Sequence, residues 1–118
     1  PSLSRVSRPN TLCMSYTKAS YEDGEEKAPR MYFLRDELDC ENLGFTVVDV
    51  GADWSGMEHD HADGGHEEVY YLVDGAGSIT IDGDDVSLSP GDAVRVAPAS
   101  SRQLHADESS TFVVAGAP

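Results

Sequence analysis

From residue 31 onward the chain alternates short apolar runs with turn residues every 8 to 12 positions. The runs are Met31 to Leu34, Phe45 to Val50, Glu68 to Val73, Ser78 to Ile81, Asp85 to Leu88, Ala93 to Val96 and Thr111 to Gly116. Between them stand the breakers "DGAG", "DG", "PGD" and "APASS". Runs this short, bounded this often, predict an all-β sandwich or barrel. Asp82 and Gly83, between two of these runs, predict a tight hairpin, because the turn needs positive φ that glycine adopts without strain. Only "RDELDCEN" is expected to give a helical turn or two. With no long helix to cross between parallel strands, the sheets should be antiparallel.

Strand periodicity also sorts the candidate chemistry. In an extended segment His59 and His61 point one way and Asp60 the other. After the "ADGG" turn, His66, Glu68, Tyr70 and Leu72 share one face, and Glu67, Val69 and Tyr71 the opposite one. If Leu72 faces the core, Glu68 brings an anionic oxygen to the same interior. Two neutral imidazoles and an inward carboxylate suit a divalent transition metal.

At 118 residues the chain has the length of one domain. It carries 22 acidic and 8 basic residues, a formal net charge of -14, which disfavours nucleic acid and anionic membrane surfaces as partners. Lysine appears only at Lys18 and Lys27. Such a carboxylate shell resembles that of proteins from salt-loving organisms, the alternative being an ordinary acidic cytosolic protein. On the first reading the melting temperature should rise steeply between dilute buffer and molar potassium chloride. A flat profile over that range would contradict it.

Residues 1–20 hold Arg5, Arg8 and Lys18 and no acid, and are expected to form a disordered tail with Met14 a natural start; a single domain then covers 21–118. The first stretch lacks an apolar run, so neither a secretory leader nor a membrane span is expected there. Cys13 and Cys40 have no metal-binding or disulfide spacing, which points to a reducing cytoplasm. No GxSxG turn, phosphate-cradling glycine loop or nucleotide fingerprint is present to support a hydrolase, kinase or dehydrogenase.

The stretch "GMEHDHADGGHEEVYYLVDGAG" resembles the first motif of the cupins: G, five residues, HxH, three or four residues, E, six residues, G. Glu68, "VYYLVD" and Gly75 match its end residue by residue, which selects Glu68 over Glu67. Only two residues separate Gly56 from His59, and six separate His61 from Glu68. The second motif, G, five residues, PxG, two residues, H, three residues, N, is partly present in "GDAVRVAPASSRQLHAD". There Gly91 and Pro98 match with one extra residue between them, and Ser100 replaces the usual glycine. Counting from Pro98 places Gln103 where the family has its last histidine.

The resemblance implies an antiparallel double-stranded β-helix, the jelly-roll barrel of the cupins, with six to eight strands and commonly a homodimer. It implies one divalent transition metal (Fe, Mn, Zn or Ni) on His59, His61 and Glu68, with Gln103 or His66 completing the set. Beside it a small-molecule ligand is expected, with Tyr70, Arg102 and His105 as candidate pocket residues. Arg102 suits either a substrate carboxylate or phosphate or a surface salt bridge. Trp54 is a candidate for the rim, although packing against the barrel is the stronger expectation. Two functions stay open: a small metalloenzyme of dioxygenase or isomerase type, and a non-catalytic cupin that binds or senses a small molecule or metal.

Overall fold

The computed structural model describes residues 15–118. The expected tail therefore lies mostly outside the described residues, and the first described element is a 3₁₀ turn at Tyr21–Asp23. Ten strands follow: β1 (Glu25–Ala28), β2 (Met31–Phe33), β3 (Gly44–Val50), β4 (Trp54–Ser55), β5 (Glu67–Asp74), β6 (Gly77–Ile81), β7 (Asp84–Leu88), β8 (Ala93–Val96), β9 (Arg102–Ala106) and β10 (Ser110–Ala117). One short helix, α1 (Arg35–Leu38), occupies the segment expected to turn helically. It is too short to cross a membrane, as is every helix among the described residues.

All pairings are antiparallel, in a six-stranded sheet ordered β1-β2-β3-β10-β5-β8 and a four-stranded sheet ordered β4-β9-β6-β7. Their inner faces enclose one core. Val48, Leu72, Val96 and Phe112 come from the first sheet and Ile79, Leu104 and Ala106 from the second. Burying each of the larger side chains contributes about 1.5–3 kcal/mol. On the outer face of β5, Val69, Tyr71 and Val73 are exposed, as the alternation of that strand requires.

Two turns set the register. Asp82 and Gly83 both take positive φ, 49° and 88°, closing β6 onto β7 with Ile81 opposite Asp84. Gly75, at φ 105°, links β5 to β6. A Cβ there would run into the Ser110 hydroxyl and the Ser109 carbonyl. Ser110 is buried, and its hydroxyl accepts from the Ala76 amide, which fastens this corner.

Three strands carry no apolar run in the sequence. β1 reads "EEKA", β4 is two residues long, and β9 reads "RQLHA". Conversely, the HxH segment is not a regular strand. His59 forms a single bridge to Arg102, and the chain from Gly56 to His66 is otherwise irregular.

Candidate metal centre

Backbone hydrogen bonds seat the irregular HxH segment on β9 and the loop before it. The Gly56 amide donates to Leu104, His59 and Arg102 exchange amide bonds at 3.0 and 2.8 Å, and the His61 amide donates to Pro98. The side chains of His59 and His61 consequently turn towards Glu68 on β5. Ligand atoms of these three residues lie within 4.8 Å of one another. The imidazoles meet edge to face, with centroids 4.9 Å apart.

Each of the three is oriented for ligation. His59 Nδ1 lies 3.1 Å from the Met57 carbonyl, which can only accept, so Nδ1 carries a proton and Nε2 is the nitrogen left to ligate. His61 Nε2 is buried and has no hydrogen-bond partner, although it lies 3.2 Å from Glu68 Oε2, so the angle rather than the distance rules out a bond. Burial holds His61 below the ordinary histidine pKa, outweighing the opposite pull of Glu68. His59, Arg102 and His66 push in the same direction as burial, so the ring is neutral at pH 7.

Glu68 is fixed through its other oxygen. Oε1 accepts from the Tyr70 hydroxyl at 2.6 Å and from Arg102 Nη1 at 2.8 Å, which leaves Oε2 facing His61. Burial, followed by the neighbouring Glu68 charge, raises the Tyr70 pKa, so its hydroxyl stays a donor. Arg102 is 0% exposed. Its remaining bonds go to the Ser100 carbonyl at 3.0 Å and the Ala97 carbonyl at 2.7 Å. An orphaned buried nitrogen, a free Nε2 and a free carboxylate oxygen converging on one point fit a divalent metal ion.

The other candidates fall elsewhere. Strand β9 buries Arg102, Leu104 and Ala106, so Gln103 faces away from Glu68 and donates its side-chain amide to the Gly56 carbonyl at 2.8 Å. The residue of β9 that meets Glu68 is Arg102, one position before Gln103, and a one-residue step along a strand exchanges its two faces. His66 stacks near His61, centroids 5.9 Å apart, but stays outside the converging group. His105 is held between Ser55 Oγ at 2.8 Å and Thr80 Oγ1 at 3.0 Å. Because the Thr80 hydroxyl donates to Asp85, His105 Nε2 donates to Thr80 and Nδ1 accepts from Ser55. That chain lies on the outer face of the four-stranded sheet. Arg102 lies under the carboxylate, in neither of the positions considered for it.

A cavity of about 610 Å³ opens beside the group, within the size range of small-molecule sites. His59, His61, Glu68 and Tyr70 form one end, and Trp54 lines the wall while also packing on the core. Neither Arg102 nor His105 lines it.

The cupin domain family matches residues 44–117, which span β3 to β10 and every residue of this group. The chain belongs to the cupin family. A cupin protein from Bacteroides fragilis has the same fold, with 28% identity, a TM-score of 0.75 and coverage of 88% of this chain and 85% of that one. The KdgF structure from a Halomonas species follows at 20% identity and a TM-score of 0.68, covering 89% of this chain and 94% of the other. A predicted oxalate decarboxylase from Thermotoga maritima is 21% identical with a TM-score of 0.63, over 74% of this cupin and 77% of that chain. No curated protein matches the sequence. In this cupin the β9 side chain that faces the carboxylate is an arginine.

Proposed function

We propose that this cupin holds one divalent transition metal on Nε2 of His59, Nε2 of His61 and Oε2 of Glu68, and binds a small molecule against it in the adjoining cavity. The observation that carries the reading is the unpartnered, buried His61 Nε2 beside a carboxylate oxygen whose companion is already bonded twice. A bound ion would supply Lewis acidity and a fixed positive charge at the cavity end.

The residues around it have distinct tasks. Met57 fixes the His59 tautomer, Arg102 and Tyr70 hold Glu68 with Oε2 towards the imidazoles, and Tyr70 offers the nearest protonated hydroxyl. An open-sided three-ligand set suits turnover of dioxygenase or isomerase type. Binding without turnover is the second reading, favoured by Arg102: a buried cation beside the ligands weakens the hold on a metal.

Cobalt(II) titration at pH 7.5, followed by thermal unfolding, tests the proposal. One equivalent should bind and raise the melting temperature, since a ligand that binds only the folded state stabilises it. Imidazoles must be neutral to ligate, so the ion should be released as pH falls below the ordinary histidine value of ~6.5. Without metal the sign is the same, because the lowered pKa of His61 makes the unfolded chain take up its proton first. Stability is full above about 6.5 and declines as pH falls towards the lowered value. Absence of a cobalt-dependent shift at pH 7.5 would refute the proposal.

A further inference from the structure

The cavity is polar at one end and apolar along its length. Its walls include Met31, Phe33, Val48, Trp54, Leu104 and Val114. Apart from the Trp54 indole, hydrogen-bonding side chains are confined to Thr46, Lys27, Ser55 and the end formed by His59, His61, Glu68 and Tyr70. The Tyr70 hydroxyl donates to Glu68, Ser55 is bonded to His105, and one oxygen of Glu68 is taken by Tyr70 and Arg102. A polyhydroxylated body would lose water on entering without regaining partners, whereas an aliphatic or aromatic body gains by burial.

Charge separates the possible head groups. The chain carries a net charge of -14, so an anion approaches only where a local cation offsets that field. Among the lining residues the charged side chains are Glu68 and Lys27. Arg102 neutralises Glu68 from below, so among the described residues Lys27 is the cationic side chain that lines the cavity. Its amine sits 5.1 Å over the Phe33 ring, at the rim formed by β1 and β2.

We infer that the ligand is a small monoanion with an apolar body, a carboxylate bearing an aliphatic or aromatic group, rather than a sugar acid or polyol. The body lies between Trp54, Val48 and Leu104, and the carboxylate within the field of Lys27 and the His59, His61 and Glu68 end. The preference for an anionic head rests in part on the proposed metal, and the preference for an apolar body rests on the walls alone.

Trp54 is the single tryptophan of the chain and lines the cavity, so its emission reports occupancy of the walls directly. The test titrates 3-phenylpropionate, propionate, glucuronate and neutral 3-phenylpropanol into zinc-loaded and metal-free protein, after zinc stoichiometry has been measured. We expect 3-phenylpropionate to bind about tenfold or more tighter than propionate or glucuronate and to shift the Trp54 emission. Lys27→Met should weaken 3-phenylpropionate about threefold and leave 3-phenylpropanol unchanged. Equal or tighter binding of glucuronate, or no binding of either phenyl probe, would overturn the inference. Should the protein take up no zinc, the metal proposal fails while the metal-free series still decides the body preference. A zinc-loaded protein that shows no such preference refutes this inference and leaves the metal proposal standing.

Discussion

Replacing Arg102 by methionine is expected to lower the unfolding free energy by about 3–5 kcal/mol, the usual cost of removing one partner from a buried ion pair. That is a large share of the ~5–15 kcal/mol that holds a domain folded. Methionine keeps much of the length but none of the donors. Glu68 would retain only the Tyr70 hydroxyl on Oε1, and the Ala97 and Ser100 carbonyls would each lose the guanidinium that now meets them. Lysine is no substitute, because one ammonium cannot span three acceptors set in the plane of a fork. Urea unfolding measures the change. Combining the substitution with Glu68→Gln should return part of the loss, since the uncompensated carboxylate is then gone. A loss below about 1 kcal/mol for Arg102→Met, in the range of a surface pair, would contradict the assignment of Arg102 as the buried counter-ion.

Replacing His61 by alanine is expected to weaken metal binding by about 100-fold or more, at or beyond the upper end of what losing an outer-shell partner costs. The same change should cost little stability in the metal-free protein. His61 Nε2 is a buried polar atom without a hydrogen bond, and removing such an atom relieves a desolvation penalty. Metal lost with the fold intact is therefore the signature of a ligand rather than of a packing residue. Glu67→Ala supplies the control: its side chain is 55% exposed and reaches outward to Arg95 at 3.3 Å. Its affinity for metal should stay within about twofold of the parent, as surface substitutions usually have small effects. If Glu67→Ala strips the metal and Glu68→Ala does not, the register of β5 has been assigned one residue out.

The β5 side of the site was legible in the sequence, because β5 alternates strictly. Tyr70 and Leu72 are buried and Val69, Tyr71 and Val73 exposed, so Glu68 had to point inward with them. The Asp82 and Gly83 turn was equally plain, as two consecutive positive φ values demand such a pair. Strand β9 was hidden for a physical reason. An inward arginine breaks the apolar pattern by which a strand announces itself, and Arg102 is buried because Glu68 from the other sheet and the Ala97 and Ser100 carbonyls meet it. Pairing across two sheets leaves no periodic trace in one segment. Gln103 points away from Glu68 for the same reason: with Arg102, Leu104 and Ala106 inward, the alternation of β9 sends it to the other face. Strand β1, with "EEKA", forms because its hairpin to β2 supplies backbone partners, not because its side chains seek a core. The histidine pair was correctly paired in direction but not in conformation. His59 and His61 hang on β9 and on Pro98 through isolated backbone bonds, which a strand pattern cannot foretell.

The central claim is that His59, His61 and Glu68 share one ion while Arg102 keeps its hold on Glu68. A crystal structure of cobalt-loaded protein, with the ion located by its anomalous scattering, tests this most directly. The account predicts a single internal site bounded by His59 Nε2, His61 Nε2 and Glu68 Oε2, with Arg102 Nη1 still on Oε1. Cobalt bound only among the surface carboxylates, or an internal ion that has driven Arg102 away from Glu68, would contradict it.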